Sequence, residues 1–365
     1  MSWLLTNCHV SVNFHNQEVR EEGNGMISSA RANKDRSDWI VYGFAVALIH
    51  LMGLALLLLE ARKYPQLLGM GFLAYTLGLR HAFDADHIAA IDNTVRKLVQ
   101  QRKNATGIGF FFSMGHSSVV FLMTLVTIYS MRWAQERLPE FQHVGGFIGT
   151  TVSGAFLLLI GIINLYIWLD IYRIFIELGR GKYDPDELEE VLNKRGFMAR
   201  FVGPFYKMIQ KSWHIFPLEF LFGLGFDTAT EIALISISAG AASQTVPVAG
   251  ILSFPLLFAA GMSLMDTADG IFMIRAYNWA FATPIRKVYY NLTITGLSVV
   301  AALFIGFVEL AQVLSPKLGL NSEFWVWIQS LDFGNMGYFL AVLFVLVWAV
   351  SYGTWKFLHL EKGDS

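Results

Sequence analysis

The stretch RHAFDADH, residues Arg80 to His87, places one arginine, two aspartates and two histidines inside a long apolar region. A charged side chain at the centre of a membrane-inserted helix costs about 2.5–3.5 kcal/mol on insertion scales. The packing of apolar side chains does not explain so many polar groups in one segment. We therefore expect them to face the interior of a helix bundle or a wet cavity, where intramembrane polar groups usually have a function.

The composition around this stretch is that of a membrane protein. Of 365 residues, 55% are hydrophobic and 15% are charged, whereas a soluble globular domain carries about 25% charged residues. A helix that spans the bilayer needs about 20 mostly apolar residues. The sequence therefore predicts an all-α polytopic membrane protein with eight transmembrane helices. Their predicted bounds are Trp39–Leu59, Leu67–Ile91, Gly107–Ser130, Val144–Leu169, Phe216–Ala242, Val248–Ile274, Val288–Leu314 and Gly337–Phe357.

The distribution of Lys and Arg sets the predicted orientation, because cytoplasmic loops carry an excess of these residues. With the N-terminus inside, 21 of the 27 Lys and Arg residues fall in inner segments and five in outer loops. The remaining one, Arg80, lies within the second span. Both ends of the chain are therefore predicted to be cytoplasmic.

The chain divides into three predicted parts. Residues 1–38 form a polar cytoplasmic tail that we expect to be disordered, residues 39–357 form the transmembrane domain, and residues 358–365 form a short cytoplasmic tail. Within the domain, residues 170–214 make a large cytoplasmic loop. This loop contains YDPDELEEVLNKRG, which predicts a short helix because an aspartate cap precedes a proline.

The sequence argues against two kinds of site. It holds no GxxxxGK[ST] motif, and no segment outside the predicted spans is long enough for an ATPase domain. Its single cysteine, Cys8, excludes an intramolecular disulfide and a cysteine-rich metal centre.

Two pairs of motifs suggest an internal repeat. GLRHAFDADHIAAI in the second span resembles GLGFDTATEIALI in the fifth, with an offset of 143 residues from Phe83 to Phe226. SMGHSSVVF in the third span corresponds to AAGMSLMDTADG in the sixth, with an offset of 146 residues from Gly115 to Gly261. A shift of three spans would make spans 2–4 and 5–7 inverted copies with a binding site at their interface. The alternative is chance similarity between apolar helices.

The polar groups of the second span have the chemistry of a metal site, because imidazole and carboxylate ligands together suit first-row divalent ions. At the helical spacing of about 100° per residue, His81, Asp84 and His87 share a face about 120° wide. Asp86 points away from that face. Either the helix is locally distorted, or Asp86 supports the ligands or carries a proton.

Other spans hold polar groups that can join this site. They are His50, His116, Asp227, Thr228, Glu231, Asp266 and Asp269. The acidic residues of the fifth and sixth spans form two pairs spaced four and three residues apart, so each pair shares one helical face. The alternatives are structural. Asp227 and Asp266 can form ion pairs with Arg80 or cap broken helices, His50 can serve packing, and Thr228 can hydrogen-bond between helices.

These motifs resemble those of the NiCoT family of nickel/cobalt transporters. The second-span signature of that family, HX4DH, is matched by His81, Asp86 and His87. Three further family signatures are similar to MGHSSVV in the third span, LGFDTATE in the fifth and GMSLMDTADG in the sixth. The departures from the family pattern, Met114 and Val95, affect no candidate ligand. The resemblance extends from the first span to the C-terminus.

The resemblance implies a single-chain secondary permease, not an enzyme, that imports Ni²⁺, Co²⁺ or both across the cytoplasmic membrane of a prokaryote. Its implied partners are the transported dication and the bilayer, with no ATPase subunit, no nucleic acid and no resident cofactor. The family signature in the second span is implicated in metal recognition. In the first span, His50 is implied as a position that tunes the choice of metal.

Two sets of residues follow from this interpretation. We expect the water shell of the ion to be replaced by ligands from the set His81, Asp84, Asp86, His87 and His116. We expect a relay or a second site from the set His50, Asp227, Thr228, Glu231, Asp266 and Asp269. Two alternatives remain, namely a transporter of another dication such as Mn²⁺ or Zn²⁺, and a membrane metalloenzyme with histidine boxes.

Overall fold

The structure of the protein, a computed structural model, describes residues 38–129, 131–179, 209–225, 229–244, 246–280, 291–331 and 333–357. The chain comprises two units, residues 1–44 and 45–365. Of the first unit the structure describes residues 38–44, which are helical. The tail before Asp38, the tail after Phe357 and the helix predicted from YDPDELEEVLNKRG lie outside the described residues.

The described residues form eleven α-helices and no β-strand. The helices are α1 Asp38–Ala61, α2 Gln66–His81, α3 Ala85–Gln100, α4 Ile108–Tyr129, α5 Met131–Gly179, α6 Ile215–Phe222, α7 Ala229–Ser243, α8 Val248–Ala280, α9 Gly296–Lys317, α10 Glu323–Gln329 and α11 Phe333–Phe357.

Long apolar helices make this a polytopic membrane protein, as the sequence predicts. Within the described residues, five segments are long and apolar enough to cross a bilayer, namely Asp38–Ala61, Ile108–Tyr129, Val144–Tyr166, Val248–Trp279 and Gly296–Lys317. The second and fifth predicted spans do not meet this criterion, because each is divided into two shorter helices. In the eighth predicted span, the described apolar segment Gly337–Val350 is also shorter.

The second predicted span is broken within the motif RHAFDADH. Helix α2 ends at His81, and α3 begins only at Ala85. Asp84, immediately before α3, has an extended backbone with φ −67° and ψ 146°. Irregular backbone at membrane depth is tolerated only where protein or water covers it. Here α11 covers it: a Cβ on Gly337 would lie 1.5 Å from the carbonyl oxygen of Phe83, so the two backbones are in direct contact.

The fifth predicted span is interrupted at the corresponding position. Helix α6 ends at Phe222, residues Gly223–Gly225 form a short 3₁₀ turn, and α7 begins at Ala229. With the offset of 143 residues between the two motifs, His81 corresponds to Leu224. His81 is the last residue of α2, and Leu224 lies inside this interruption. Both copies of the motif therefore lie at a helix break.

The glycines of the second motif pair make equivalent contacts. A Cβ on Gly115 of α4 would lie 2.4 Å from the carbonyl oxygen of Phe216 in α6. A Cβ on Gly261 of α8 would lie 2.6 Å from the carbonyl oxygen of Tyr75 in α2. Each glycine thus lets a long helix pack directly on the backbone of the first half of a broken one.

Helix α3 is enclosed by the rest of the bundle. Its residues from His87 to Leu98 are all buried, and it contacts α5, α8, α9 and α11. The helix nevertheless carries several charged side chains, so those charges must find partners or ligands among the helices around it. This enclosure places His87 in the interior of the bundle.

Candidate intramembrane metal site

Three histidines from three helices meet inside the bundle. They are His81 at the end of α2, His87 in the first turn of α3 and His116 in the middle of α4. One ring nitrogen from each lies within 4.8 Å of the others. Their exposed fractions are 1%, 1% and 4%, so bulk water does not solvate them.

The imidazole rings are packed closely against one another. The ring centroids of His81 lie 4.6 Å from those of both His87 and His116, and the last two are 5.1 Å apart. The Nε2 atoms of His81 and His116 are separated by 2.9 Å. One of these nitrogens therefore donates a hydrogen and the other accepts it, because two protonated rings would repel at this distance.

A carboxylate and a hydroxyl hold the other side of the His81 ring. Its Nδ1 lies 2.9 Å from Oδ2 of Asp84 and 3.1 Å from Oγ1 of Thr230. The helix break brings Asp84 into this position, because the extended residue sits directly after the end of α2. A carboxylate on Nδ1 fixes the ring orientation and leaves Nε2 to face a metal ion, an arrangement common among metal-binding histidines.

Glu231, in the first turn of α7, supplies a carboxylate to the cluster. Its Oε1 lies 2.9 Å from Nε2 of His116, and its exposed fraction is 1%. The pair joins the broken fifth span to the third. Oε1 of Glu231 and Nε2 of His81 therefore both lie within hydrogen-bonding distance of Nε2 of His116.

His87 connects the cluster to α8. Its Nδ1 lies 3.6 Å from Oδ1 of Asp266, too far for a hydrogen bond, and its ring meets the edge of Phe112 at a centroid distance of 4.7 Å. Both ring nitrogens of His87 and both carboxylate oxygens of Asp266 are buried, and none of them has a hydrogen-bond partner among the described residues. Buried polar groups are normally paired, so this side of the cluster has free ligand atoms.

The structure brings some of the predicted residues together and not others. Asp86 is half-buried on α3, and Asp269 is half-buried one turn beyond Asp266 on α8. His50 bonds the carbonyl oxygen of Val46 at 2.8 Å and the hydroxyl of Tyr75 at 3.3 Å. The candidates Asp227 and Thr228 lie outside the described residues.

In the structure, Asp266 and Arg80 do not form the ion pair that one of the structural alternatives proposes. Arg80 lies 4.0 Å from Asp84, its neighbour one turn along the chain, whereas Asp266 faces His87. The reason is the helix break, since the extended residue turns back toward the end of α2. Arg80 therefore neutralises charge beside the cluster rather than across the bundle.

Glu219 is an acidic residue that the sequence analysis did not single out. It lies in α6 with an exposed fraction of 0%, and within the part of the chain that the structure describes, both of its carboxylate oxygens lack a hydrogen-bond partner. The signal was present, because a glutamate in the apolar run IFPLEFLF falls inside a predicted span. Scoring every charge in a span, and not only those in motifs, would have found it.

A second set of buried polar residues, which the sequence motifs did not indicate, links α3 to α5 and α8 by hydrogen bonds. Nη2 of Arg96 donates to Oδ1 of Asn93 at 2.6 Å, and Nδ2 of Asn164 donates to the same oxygen at 2.8 Å. The hydroxyl of Tyr277 donates to Oδ1 of Asp92 at 2.5 Å. Asp92, Asn93 and Arg96 were missed because the sequence places them just beyond the inner end of the second span, where charged side chains are usually solvated.

Comparison with known proteins identifies relatives over nearly the whole chain. Residues 67–353 match the family NicO, described as high-affinity nickel-transport protein. The nickel transporter NixA of Staphylococcus aureus is 55% identical over 327 residues, covering 90% of this chain and 97% of that protein. The high-affinity nickel-transport protein NixA of Helicobacter pylori strain J99 is 51% identical over 332 residues, covering 89% and 99%.

A relative named as a cobalt transport protein is similar over a comparable length of the chain. The cobalt transport protein NhlF of Rhodococcus rhodochrous is 37% identical over 325 residues, covering 87% of this chain and 91% of that protein. No solved structure matches the chain.

Proposed function

The chain belongs to the family of high-affinity nickel-transport proteins, and on that premise we propose that it is a secondary transporter that imports Ni²⁺, Co²⁺ or both across the cytoplasmic membrane. The observation that carries the proposal is the cluster of His81, His87 and His116, buried where a broken helix meets a continuous one. Membership in a transporter family overturns the alternative of a membrane metalloenzyme, and the chain is not an enzyme.

The ligand set favours a late first-row dication as the substrate. Imidazole suits nickel, copper, zinc and related ions, whereas Mn²⁺ is better matched by carboxylate, carbonyl and water oxygens. Three imidazoles with Asp84 and Glu231 beside them therefore argue against the Mn²⁺ alternative. Zn²⁺ is not disfavoured by the ligands, and the names of the relatives give nickel and cobalt.

The membrane potential supplies a sufficient driving force without ATP. Moving one elementary charge across the membrane is worth about 2.3 kcal/mol per 100 mV of membrane potential. A dication that enters a negative cytoplasm therefore gains about 4.6 kcal/mol per 100 mV. The ligands must therefore bind the ion tightly enough to strip its water and weakly enough to release it.

The proposed architecture has eight spans, with both ends in the cytoplasm. In it, α2 with α3 and α6 with α7 each count as one broken span, and spans 2–4 and 5–7 form two inverted halves. Two observations support this arrangement: both motif copies lie at helix breaks, and Gly115 and Gly261 make equivalent close contacts. Broken helices at the interface of inverted halves commonly hold the substrate of a secondary transporter.

In the proposed mechanism, the imidazole nitrogens take the ion first. Nε2 of His81 and Nε2 of His116 separate from their mutual contact and bind the metal, while Asp84 holds the far side of the His81 ring. His87 offers the third nitrogen. Glu231 then either binds the ion or accepts the proton that leaves His116.

The remaining predicted residues receive roles that follow from their positions. Asp86, Asp266 and Asp269 provide carboxylates on α3 and α8 along the path away from the imidazoles. Asp227 and Thr228 keep their predicted role at the second helix break. His50, bonded to Tyr75, acts on metal preference only indirectly.

Uptake of radiolabelled Ni²⁺ at nanomolar concentration tests the function. Cells that express the protein are expected to show saturable uptake that excess Co²⁺ blocks more strongly than Mn²⁺. A His81→Ala variant at equal membrane abundance is expected to lose high-affinity uptake. Wild-type cells without uptake at verified membrane expression would refute the function, and full uptake by the variant would refute the role of His81.

A further inference from the structure

Glu219 stands apart from the other buried carboxylates near the histidines. Asp84 and Asp266 each face an imidazole, at 2.9 Å and 3.6 Å, and Glu231 contacts His116. Glu219 is completely buried, and among the described residues neither of its oxygens has a hydrogen-bond or ion-pair partner. Burying an unpaired carboxylate costs several kcal/mol, so packing alone does not account for it.

The contact between α6 and α4 holds Glu219 beside the histidine cluster. A Cβ on Gly115 would lie 2.8 Å from the Cβ of Glu219, so the glutamate stem rests directly on the glycine that precedes His116. The position is one turn before the helix break that follows α6. Glu219 therefore packs against the residue that precedes His116, on a different helix from Glu231.

The charges that act on Glu219 are themselves negative. The carboxylates of Asp86, Asp266 and Glu309 are near enough to act on Glu219 electrostatically, and each has the same sign of charge as Glu219 when ionised. Such a group raises the local negative potential and attracts a cation, and among the described residues the oxygens of Glu219 and Asp266 have no hydrogen-bond donor that would compete for it. His87 lies between Asp266, whose Oδ1 is 3.6 Å from the His87 Nδ1, and the other two histidines.

We propose that Glu219 and Asp266 form a second, oxygen-rich station for the dication, which receives the ion from His87 after the imidazole cluster has bound it. This inference rests on the proposed transport function. Carboxylate oxygens match Ni²⁺ and Co²⁺ less well than imidazole nitrogens do. The ion therefore passes from a tighter site to a weaker one on its way to release.

The experiment combines uptake by cells with binding by the purified protein. The variants are Glu219→Gln, which removes the charge at constant size, Glu219→Asp, which retains it, and His81→Ala. The matched control is Glu323→Gln, since Glu323 is an exposed glutamate on α10. Initial rates of radiolabelled Ni²⁺ uptake are measured at equal membrane abundance, and Kd is measured by equilibrium binding of radiolabelled Ni²⁺.

Glu219→Gln is expected to lower the maximal uptake rate by at least about tenfold, the factor given by 1.4 kcal/mol, while Kd changes by less than about threefold. Glu219→Asp should retain an intermediate rate, and Glu323→Gln should match the wild type. The thermal unfolding midpoint of Glu219→Gln should equal or exceed that of the wild type, because the substitution removes an unpaired buried charge.

Several results would contradict the proposal that Glu219 and Asp266 form a second station for the ion. Uptake by Glu219→Gln within about twofold of the wild type would remove Glu219 from the path. Loss of binding comparable to that of His81→Ala would place Glu219 in the imidazole site itself. A changed dependence of uptake on external pH with an unchanged maximal rate would make Glu219 a proton carrier. Absence of uptake by the wild type would refute the transport function together with the station.

Discussion

Replacing Gly337 by alanine tests whether the distant helix α11 holds the metal site in shape. The added Cβ would lie 1.5 Å from the carbonyl oxygen of Phe83 and 2.9 Å from the amide nitrogen of Ala85. Real Cβ atoms essentially never approach closer than 3.0 Å, so α11 or the helix break must move by about 1.5 Å. The obstructing atoms are backbone, and no side-chain rotation relieves the contact.

The expected loss of Ni²⁺ affinity follows from this displacement. The break carries Asp84 and lies between His81 and His87, whereas metal sites require ligand distances within about 0.2 Å. Disturbing groups that orient metal ligands typically lowers affinity by about 10–100-fold. Kd for radiolabelled Ni²⁺ on purified Gly337→Ala should rise by this factor, and overpacking should destabilise the protein by about 1–3 kcal/mol.

Gly353 provides a matched control on the same helix. A Cβ there meets nothing within 4 Å, and alanine in place of glycine stabilises a helix by up to about 1 kcal/mol. Gly353→Ala should therefore keep the wild-type Kd and unfold at the same or a higher temperature. If Gly337→Ala binds Ni²⁺ within about threefold of the wild type, the contact between α11 and the break does not shape the site.

Three further substitutions test single contacts. Asp84→Asn removes the carboxylate 2.9 Å from Nδ1 of His81 and should weaken Ni²⁺ binding by about 10–100-fold in equilibrium binding, so an unchanged Kd would contradict this orienting role. Tyr277→Phe removes the donor to Asp92 and should lower the free energy of unfolding by about 1–3 kcal/mol, measured by denaturant titration in detergent; equal stability would show that the 2.5 Å contact contributes little. His50→Ala should keep Kd for Ni²⁺ within about threefold, because His50 bonds Tyr75 and not the cluster, and a tenfold loss would place His50 in the site.

Much of the site is visible in the sequence because the underlying physics is local. A charge inside a long apolar run is costly wherever it occurs in a membrane, so RHAFDADH predicts a buried polar site without any knowledge of the fold. The helical period also places His81, Asp84 and His87 on one face, and the structure brings these residues together.

The position of the helix break does not follow from the local sequence pattern. The period assumes a continuous helix from Leu67 to Ile91, whereas the structure ends α2 at His81 and restarts at Ala85. Local distortion of the helix is one of the two ways in which the sequence can accommodate Asp86. The break is covered by Gly337, some 250 residues further along the chain, and no local pattern reports such a contact.

The sequence by itself determined the all-helical membrane class, the family and the polar residues of the second span, because insertion energies and motifs depend on residue type and spacing along the chain. Only the tertiary structure decided which residues meet. His116 contacts Glu231 across 115 residues of sequence, and His87 faces Asp266. These pairings, and the isolation of Glu219, depend on how helices pack against one another, and helix packing is set by surfaces brought together from distant parts of the chain.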